Sequence, residues 1–249
     1  MKAGKLTILL FVATLLSQAT PAVCRAQGLE GGVDVTLFNV YSNHGVGATG
    51  SSWFSDDNTV GNVRYWLGYQ TSERNGIRLK YWDFFGSFDL ATDVFDLKQL
   101  DGELTSDFSI GDWVVTGSAG VRWNEINYTD EAGAATRYRF NGIGPSIGVS
   151  TRRNILGNLN FVGSVGGAVA YGDTLSTSTS RASGVAVNTI DSQLALEYFV
   201  PVADGFLSLK GGWENHWYSG LSVNVDSNID PEDLDVNLAG PVISVSFER

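Results

Sequence analysis

The chain has one cysteine, two histidines and five prolines among its 249 residues. A single cysteine, Cys24, allows no intramolecular disulfide, so the fold cannot be a disulfide-stapled secreted scaffold. Beyond residue 26 only three lysines occur, Lys80, Lys98 and Lys210. Soluble domains usually cover their polar faces with lysine and glutamate, so this scarcity argues against a soluble barrel or sandwich.

Positive charge is also scarce: 16 basic residues oppose 27 acidic ones, which gives a net charge of −11. Because phosphate backbones need a basic surface, nucleic acid is excluded as a partner. No motif for a cofactor, a metal ion or a set of catalytic residues stands out, so none of these is expected.

The first residues have the pattern of an export signal. Lys2 and Lys5 precede an apolar run from Thr7 to Leu16, and small residues follow. That pattern is typical of a cleaved secretory signal peptide. We predict a signal over residues 1–26 and one domain over 27–249, exported from a Gram-negative cell. Cys24 and three basic residues leave with the signal.

The remaining chain alternates between apolar and polar residues with a period of two, which predicts strands. In VVTGSAGVRW, one face carries Val115, Gly117, Ala119, Val121 and Trp123, and Arg122 lies on the other. Ten strands are predicted, although eight or twelve are possible: 32–41, 60–70, 76–86, 93–108, 113–128, 137–152, 157–172, 185–200, 205–218 and 233–248.

The predicted connections alternate in length. Short turns follow the even-numbered strands, and the longer segments are 42–59, 129–136, 173–184 and 219–232, with 87–92 intermediate. This asymmetry is typical of a transmembrane antiparallel β-barrel with short periplasmic turns and longer extracellular loops. We therefore assign the apolar faces to outer-membrane lipid and the polar faces to the lumen.

Aromatic residues near the predicted strand ends are expected to form two girdles at the membrane interfaces. They are Tyr81, Trp123, Tyr171, Trp213 and Trp217 toward the long loops, and Tyr69, Phe108, Tyr198 and Phe247 toward the short turns. Because Phe247 ends an alternating last strand, that strand is expected to engage the barrel-assembly machinery, although Glu248 and Arg249 follow it.

The same face assignment predicts fourteen charged residues in the lumen, balanced between the two signs. The basic ones are Arg64, Arg78, Lys80, Arg122, Arg137, Arg139 and Lys210, and the acidic ones are Asp101, Glu103, Asp107, Asp191, Glu197, Glu214 and Asp235. Since unpaired ions away from water are costly, we expect them to pair across the barrel.

Two Gly-Pro pairs, Gly144–Pro145 and Gly240–Pro241, fall inside predicted strands. Proline removes a ladder hydrogen bond, and the apolar residues change phase between Phe140 and Ile147. We therefore predict a β-bulge at each pair.

Four segments carry a family resemblance: GIRLKYWDFFGSFDL, VFDLKQLDGELTSDF, GSAGVRWNEINY and FNGIGPSIGVS. Together they resemble the Legionella-type major outer membrane protein family over most of residues 60–248. The resemblance implies an outer-membrane barrel that forms a pore, and it supplies no catalytic residues.

Three functions stay open at this stage. Ten strands lie between barrels filled by side chains and barrels with a channel, so the physics favours a narrow or plugged lumen, whereas the resemblance favours a pore. A small pore-forming or a structural barrel is therefore the favoured function. The alternatives are surface recognition through segments 42–59 and 219–232, and lipid hydrolysis around Glu214 and His216. Lipopolysaccharide is an expected partner, and the acidic segment DSNIDPEDLD could contact it through a divalent cation. The oligomeric state is left open.

Overall fold

The computed structural model describes residues 28–42, 59–71, 74–88, 93–130, 136–176, 180–202, 205–223 and 232–249. The predicted signal segment lies outside the described residues, so its cleavage stays a prediction. No helix within the described ranges is long and apolar enough to cross a membrane.

The chain forms a closed antiparallel barrel of ten strands in which each strand pairs with its neighbours in sequence and β1 pairs with β10. The strands are Gly28–Ser42 (β1), Thr59–Gln70 (β2), Asn75–Phe88 (β3), Asp93–Ile110 (β4), Trp113–Asp130 (β5), Thr136–Leu156 (β6), Leu159–Ser176 (β7), Ser180–Val202 (β8), Gly205–Val223 (β9) and Glu232–Glu248 (β10). The predicted fold and strand number are confirmed.

All ten strands are longer than the sequence pattern predicted, and their lengths run from 12 residues in β2 to 23 in β8. A tilted strand needs only about 9–11 residues to cross a bilayer. The excess therefore lets the strands continue past the membrane on the long-loop side. Two tight connections on the other side begin at Gly111 and Gly157, whose positive φ angles of 57° and 55° suit glycine.

The bulges predicted at the two Gly-Pro pairs are wrong. Pairing of β6 with β5 continues through Val121–Pro145, and β6 keeps one register with β7 on both sides of the proline. At Pro241 the pairing with β9 is likewise unbroken. Proline removes one donor toward one neighbouring strand, and the intact ladder on the other edge holds the register.

Register shifts occur elsewhere, between Asn154 and Leu156 on β6, between Gly172 and Asp173 on β7, and between Leu234 and Val236 on β10. The glycines of the Gly-Pro pairs have a different role. A side chain at Gly144 would overlap the carbonyl oxygen of Val169, and one at Gly240 would overlap that of Leu37. Glycine therefore allows the neighbouring backbone to approach closely at these points.

The outer surface of the barrel is apolar over its short-turn and central parts. Leu79, Leu104 and Ile147 are more than half exposed there, as expected for side chains that face lipid. The predicted girdle residues lie on this outward face. Tyr81, Trp123 and Tyr171 occupy one continuous row of paired positions from β3 to β7.

Directly beyond that row, on the long-loop side, the outward residues become polar. The next row contains Asp83, Lys98, Glu125 and Asn141 in register on β3 to β6. This sharp change from aromatic to charged side chains fits the boundary between membrane and water.

Candidate functional site: the barrel lumen

The lumen contains eleven of the fourteen charged residues predicted to lie there. They are Arg64, Arg78, Lys80, Asp101, Glu103, Asp107, Arg122, Asp191, Glu197, Lys210 and Glu214. Their strands alternate strictly, so each of them points inward while its sequence neighbours point outward.

Two predicted lumen residues, Arg139 and Asp235, lie elsewhere, and the side chain of a third is outside the described part of the structure. Arg139 is exposed on the outer face, where its Nη2 lies 2.6 Å from Glu125 Oε1. Arg137 occupies the same phase of β6, and its side chain lies outside the described part of the structure. Asp235 is half-buried at the register shift of β10, next to the inward-facing Val236. These assignments are wrong for Arg139 and Asp235 because the inward residues near the long loops are apolar.

A belt of ion pairs crosses the middle of the lumen. Arg64 contacts Asp34 at 2.7 Å, and two of its nitrogens contact Glu214 at 2.7 and 3.0 Å. Because Arg64 lies on β2 and Glu214 on β9, this pair joins strands that are not neighbours in the barrel. The cross-barrel pairing that the sequence predicted is therefore present.

The belt continues through His216 to the opposite wall. Its Nε2 lies 2.8 Å from Glu214 Oε1, and its Nδ1 lies 2.7 Å from Asp191 Oδ1. Asp191 then contacts Arg122 Nη1 at 2.7 Å, and Arg122 Nε contacts Asp101 at 2.6 Å. The seven side chains thus form one connected series from β1 to β4 through the interior.

Neutral side chains complete the hydrogen bonding of the belt. Gln99 donates to Asp101 at 2.9 Å and accepts from the Tyr218 hydroxyl at 3.0 Å, and Ser244 donates to Asp34. Buried ions are tolerated only with such partners, because an uncompensated charge away from water is expensive.

An apolar plug fills the lumen on the long-loop side of the belt. We use this name for sixteen inward-facing residues, each at most 6% exposed: Phe38, Val40, Trp82, Phe84, Phe95, Leu97, Ile126, Tyr128, Tyr138, Phe140, Ala170, Val187, Tyr218, Leu221, Val236 and Leu238. Plug and belt touch directly, since the rings of Trp82 and His216 lie 4.8 Å apart. The sequence pattern predicted a polar lumen along its whole length, and the plug corrects that expectation.

A polar cavity of about 240 Å³ occupies the lumen on the short-turn side of the belt. Hydroxyl-bearing and glycine residues of β5 to β7 form one wall, including Ser118, Ser146 and Ser164, and charged residues line the rest. Lys80 contacts Glu103 at 2.9 Å on that charged side. A buried water needs only about 10–15 Å³ of such volume, so the cavity can hold many waters.

Several charged residues of the cavity were missing from the sequence-based set. Arg152 Nε lies 2.7 Å from Glu197, and its Nη2 lies 3.3 Å from Glu248 near the end of the chain. Glu30 and Asp34 also face inward on β1. The alternation of Val33, Val35 and Leu37 around Asp34 was a signal that could have placed it inside.

The acid–histidine pair considered for catalysis is present, but it is enclosed. Glu214 is 5% and His216 2% exposed, and both ring nitrogens of His216 already contact carboxylates. The rings of Phe38 and Trp82 cover His216 on the plug side. The pair lines the polar cavity from the belt, and its ring nitrogens and carboxylate are occupied by one another and by Asp191 and Arg64.

The proposed recognition segments, 42–59 and 219–232, lie largely outside the described residues, as does most of the acidic segment DSNIDPEDLD. Surface recognition and cation binding at these segments stay predictions.

Comparisons with known proteins agree with this architecture. The family model described as "Legionella pneumophila major outer membrane protein precursor" matches residues 116–249, more than half of the chain. No curated protein matches the chain in sequence.

Solved structures with a similar chain path are outer-membrane barrels. The outer membrane protease OmpT from Escherichia coli is 8% identical, with 90% of this chain and 94% of that chain covered and a TM-score of 0.51. The translocator domain of the autotransporter NalP from Neisseria meningitidis is 10% identical, with 98% and 95% covered and a TM-score of 0.49. OprG from Pseudomonas aeruginosa is 12% identical, with 91% and 97% covered and a TM-score of 0.35. At 8% identity, the likeness to OmpT shows a shared fold and does not extend to its protease activity.

Proposed function

The chain belongs to the Legionella major outer membrane protein family, and from that premise we propose that this outer-membrane barrel is a small pore whose lumen is closed at rest by the apolar plug. One observation carries the proposal: the polar cavity of about 240 Å³ that occupies the short-turn side of the lumen up to the belt. This part of the lumen is thus already hydratable, and the belt and the plug above it are the remaining barriers.

The width of the barrel supports the same proposal. Ten strands enclose more space than the eight-stranded barrels that side chains fill, and less than the sixteen-stranded porins that leave a wide channel. Family membership favours conduction, and the plug explains why conduction depends on a rearrangement.

A purely structural barrel is the second candidate, and the belt favours it. Arg64 and Arg122 each connect strands that are not adjacent, so the belt braces the barrel against widening. Enzymatic activity is not part of the proposal, because Glu214 and His216 bind each other within the closed lumen.

Single-channel recording of the refolded protein in planar bilayers distinguishes the two candidates. The pore proposal expects small, infrequent openings whose frequency rises with voltage. Migration that changes on heating in a denaturing gel verifies that the barrel is folded. If folded protein shows no conductance at any voltage, the barrel is structural and the pore proposal is wrong.

A further inference from the structure

Buried polar atoms without a hydrogen-bond partner are concentrated on one wall of the lumen. Ten such side-chain atoms occur among the described residues, and seven of them belong to β3, β4, β5 or β6. The remaining three are on Gln70, Asn237 and Glu197, and the Glu197 atom is in ion-pair contact with Arg152 Nε at 2.7 Å. Because an unsatisfied buried group costs free energy, each group of this kind in a folded protein calls for an explanation.

The seven atoms lie on three alternate inward-facing levels of the barrel between the cavity and the long loops. We number three rows of paired inward positions on β3 to β6. Row 1 is Arg78–Glu103–Gly120–Ser146, row 2 is Trp82–Gln99–Asn124–Gly142, and row 3 is Gly86–Phe95–Tyr128–Tyr138.

Each row contributes atoms without a partner. Row 1 has Arg78 Nε, Glu103 Oε2 and the hydroxyl of Ser146, which lines the cavity although only 6% of the residue is exposed. Row 2 has Trp82 Nε1 and both amide atoms of Asn124, a fully buried residue. Row 3 has the Tyr138 hydroxyl. The polar atoms thus continue from the cavity into the plug.

The facing wall is organised differently. Asp34 accepts from Ser244 and Arg64, Glu214 accepts from Gln193 as well as Arg64, and both nitrogens of His216 have carboxylate partners. These groups are satisfied by one another and hold this side of the lumen in place.

Two further levels separate these rows. The belt level of Lys80, Asp101, Arg122 and Gly144 lies between rows 1 and 2, and an apolar level lies between rows 2 and 3. The apolar level consists of Phe84, Leu97, Ile126 and Phe140, all fully buried. The ring of Phe140 lies over Gly142, where a side chain would overlap it. Glycine at position 142 provides no side chain on this face of β6, and the ring of Phe140 occupies the place that such a side chain would take.

We propose that water and small polar solutes pass through the plug along the β3–β6 wall, with Ser146, Asn124 and Tyr138 as polar steps and Phe140 as the side chain that seals the route. The inference rests on the proposed pore, since it names the route and the seal of the same lumen. The buried polar atoms of this wall that have no hydrogen-bond partner in the protein are then the atoms that bind the permeating water.

The test compares two phenylalanine truncations in the same plug. Phe140→Ala removes the seal, and Phe38→Ala removes an equally buried ring that belongs to β1, outside the β3–β6 wall, and packs on Trp82 and Phe84 at the edge of that wall. We expect Phe140→Ala to raise the open probability about tenfold, which corresponds to the loss of about 1.4 kcal/mol of closed-state packing. Phe38→Ala is expected to change it less than about twofold. Heat-modifiable migration verifies folding of both.

A cysteine reporter follows the route without any current. In a chain carrying Cys24→Ser, Asn124→Cys is exposed to a small water-soluble thiol reagent. The thiol introduced by Asn124→Cys should react at least about tenfold faster in the Phe140→Ala background than in the Phe38→Ala background. Only Phe140→Ala is expected to let water reach row 2.

The outcomes separate the route from the pore. Faster modification of the thiol in the Phe140→Ala background, with no current in any variant, supports the water route and overturns the proposed pore function. Equal reactivity in both backgrounds, or a larger increase in current with Phe38→Ala, overturns the route even if the protein conducts.

The isosteric change Asn124→Leu provides a second measurement. Leucine removes two unsatisfied amide atoms, so it should raise the denaturation midpoint and reverse the conductance gain of Phe140→Ala. A lowered midpoint with unchanged conductance would remove Asn124 from the route.

Discussion

The two halves of the lumen differ in chemistry although the same ten strands build both. The short-turn half contains the belt and a hydratable cavity, and the long-loop half contains a dry plug whose members are almost completely buried. The outer surface changes in the opposite sense, from apolar to charged. Where lipid surrounds the barrel, its outer face is apolar and its lumen is polar. Where water surrounds it, the outer face is polar and the lumen is apolar, as in a soluble barrel.

Strand β6 shows both regimes without any break in alternation. In its membrane part Ser146 and Ser150 face the lumen, while Ile143 and Ile147 face outward. Nearer the long loop Tyr138 and Phe140 face inward and Arg139 outward. The strand keeps its phase, and the solvent outside it changes. This explains the apparent phase change at the Gly-Pro pair without a bulge.

The largest expected effect comes from breaking the belt at Arg122. Arg122→Ala leaves Asp101 and Asp191 without their shared guanidinium in the interior, where removing one partner of a buried pair costs about 3–5 kcal/mol. Urea unfolding in lipid vesicles measures this loss.

Arg122→Lys is the matched control for that variant. It retains the positive charge but cannot reproduce the four contacts to Asp101, Asp191 and Thr189. Arg122→Lys should lower the free energy of unfolding, but by less than Arg122→Ala does. A cost below about 1 kcal/mol for Arg122→Ala would mean that the belt is hydrated like a surface pair.

The strands and their closure were predictable because period-two patterning and loop asymmetry act locally along the chain. For the lumen, the sequence predicted that inward charges would pair across the barrel, but it did not predict which residues would be partners. Alternation places Arg64 and Glu214 inward, but residues 150 positions apart are brought together by barrel closure, which no local pattern specifies.

The errors in the predicted site share one physical cause. If apolar side chains face lipid along the whole of each strand, the aromatic residues at 138 and 140 point outward and Arg139 points inward, which is the reverse of what the structure shows. The same assumption hid the plug and missed Arg152, which continues the inward face of Ser146, Gly148 and Ser150. Strand length was the missing signal, because 21 residues in β6 exceed what a membrane crossing needs.

A charge scan along β5 sharpens the contrast on the outer surface. Ala119 and Asn127 both point outward, one between the two girdles and the other beyond Trp123. Ala119→Arg should cost about 2–4 kcal/mol, because an arginine near the bilayer midplane faces lipid. Asn127→Arg should be close to neutral, since its side chain is in water and near Asp96. Equal costs at both positions, measured by urea unfolding in vesicles, would contradict the membrane boundary drawn at Trp123.

The smallest expected effect concerns Arg139, the residue that the sequence placed inside. Its side chain is 55% exposed and paired with Glu125 at 2.6 Å, so Arg139→Ala should lower the free energy of unfolding by less than about 1 kcal/mol. Added salt should reduce even that difference, because exposed pairs are screened over about 8–10 Å at moderate ionic strength. Glu125→Gln removes the same pair from the other side and should match it within error. A loss of unfolding free energy that approaches that of Arg122→Ala and does not change with salt would place Arg139 in the interior. The two halves of the barrel would then not differ in which face is polar.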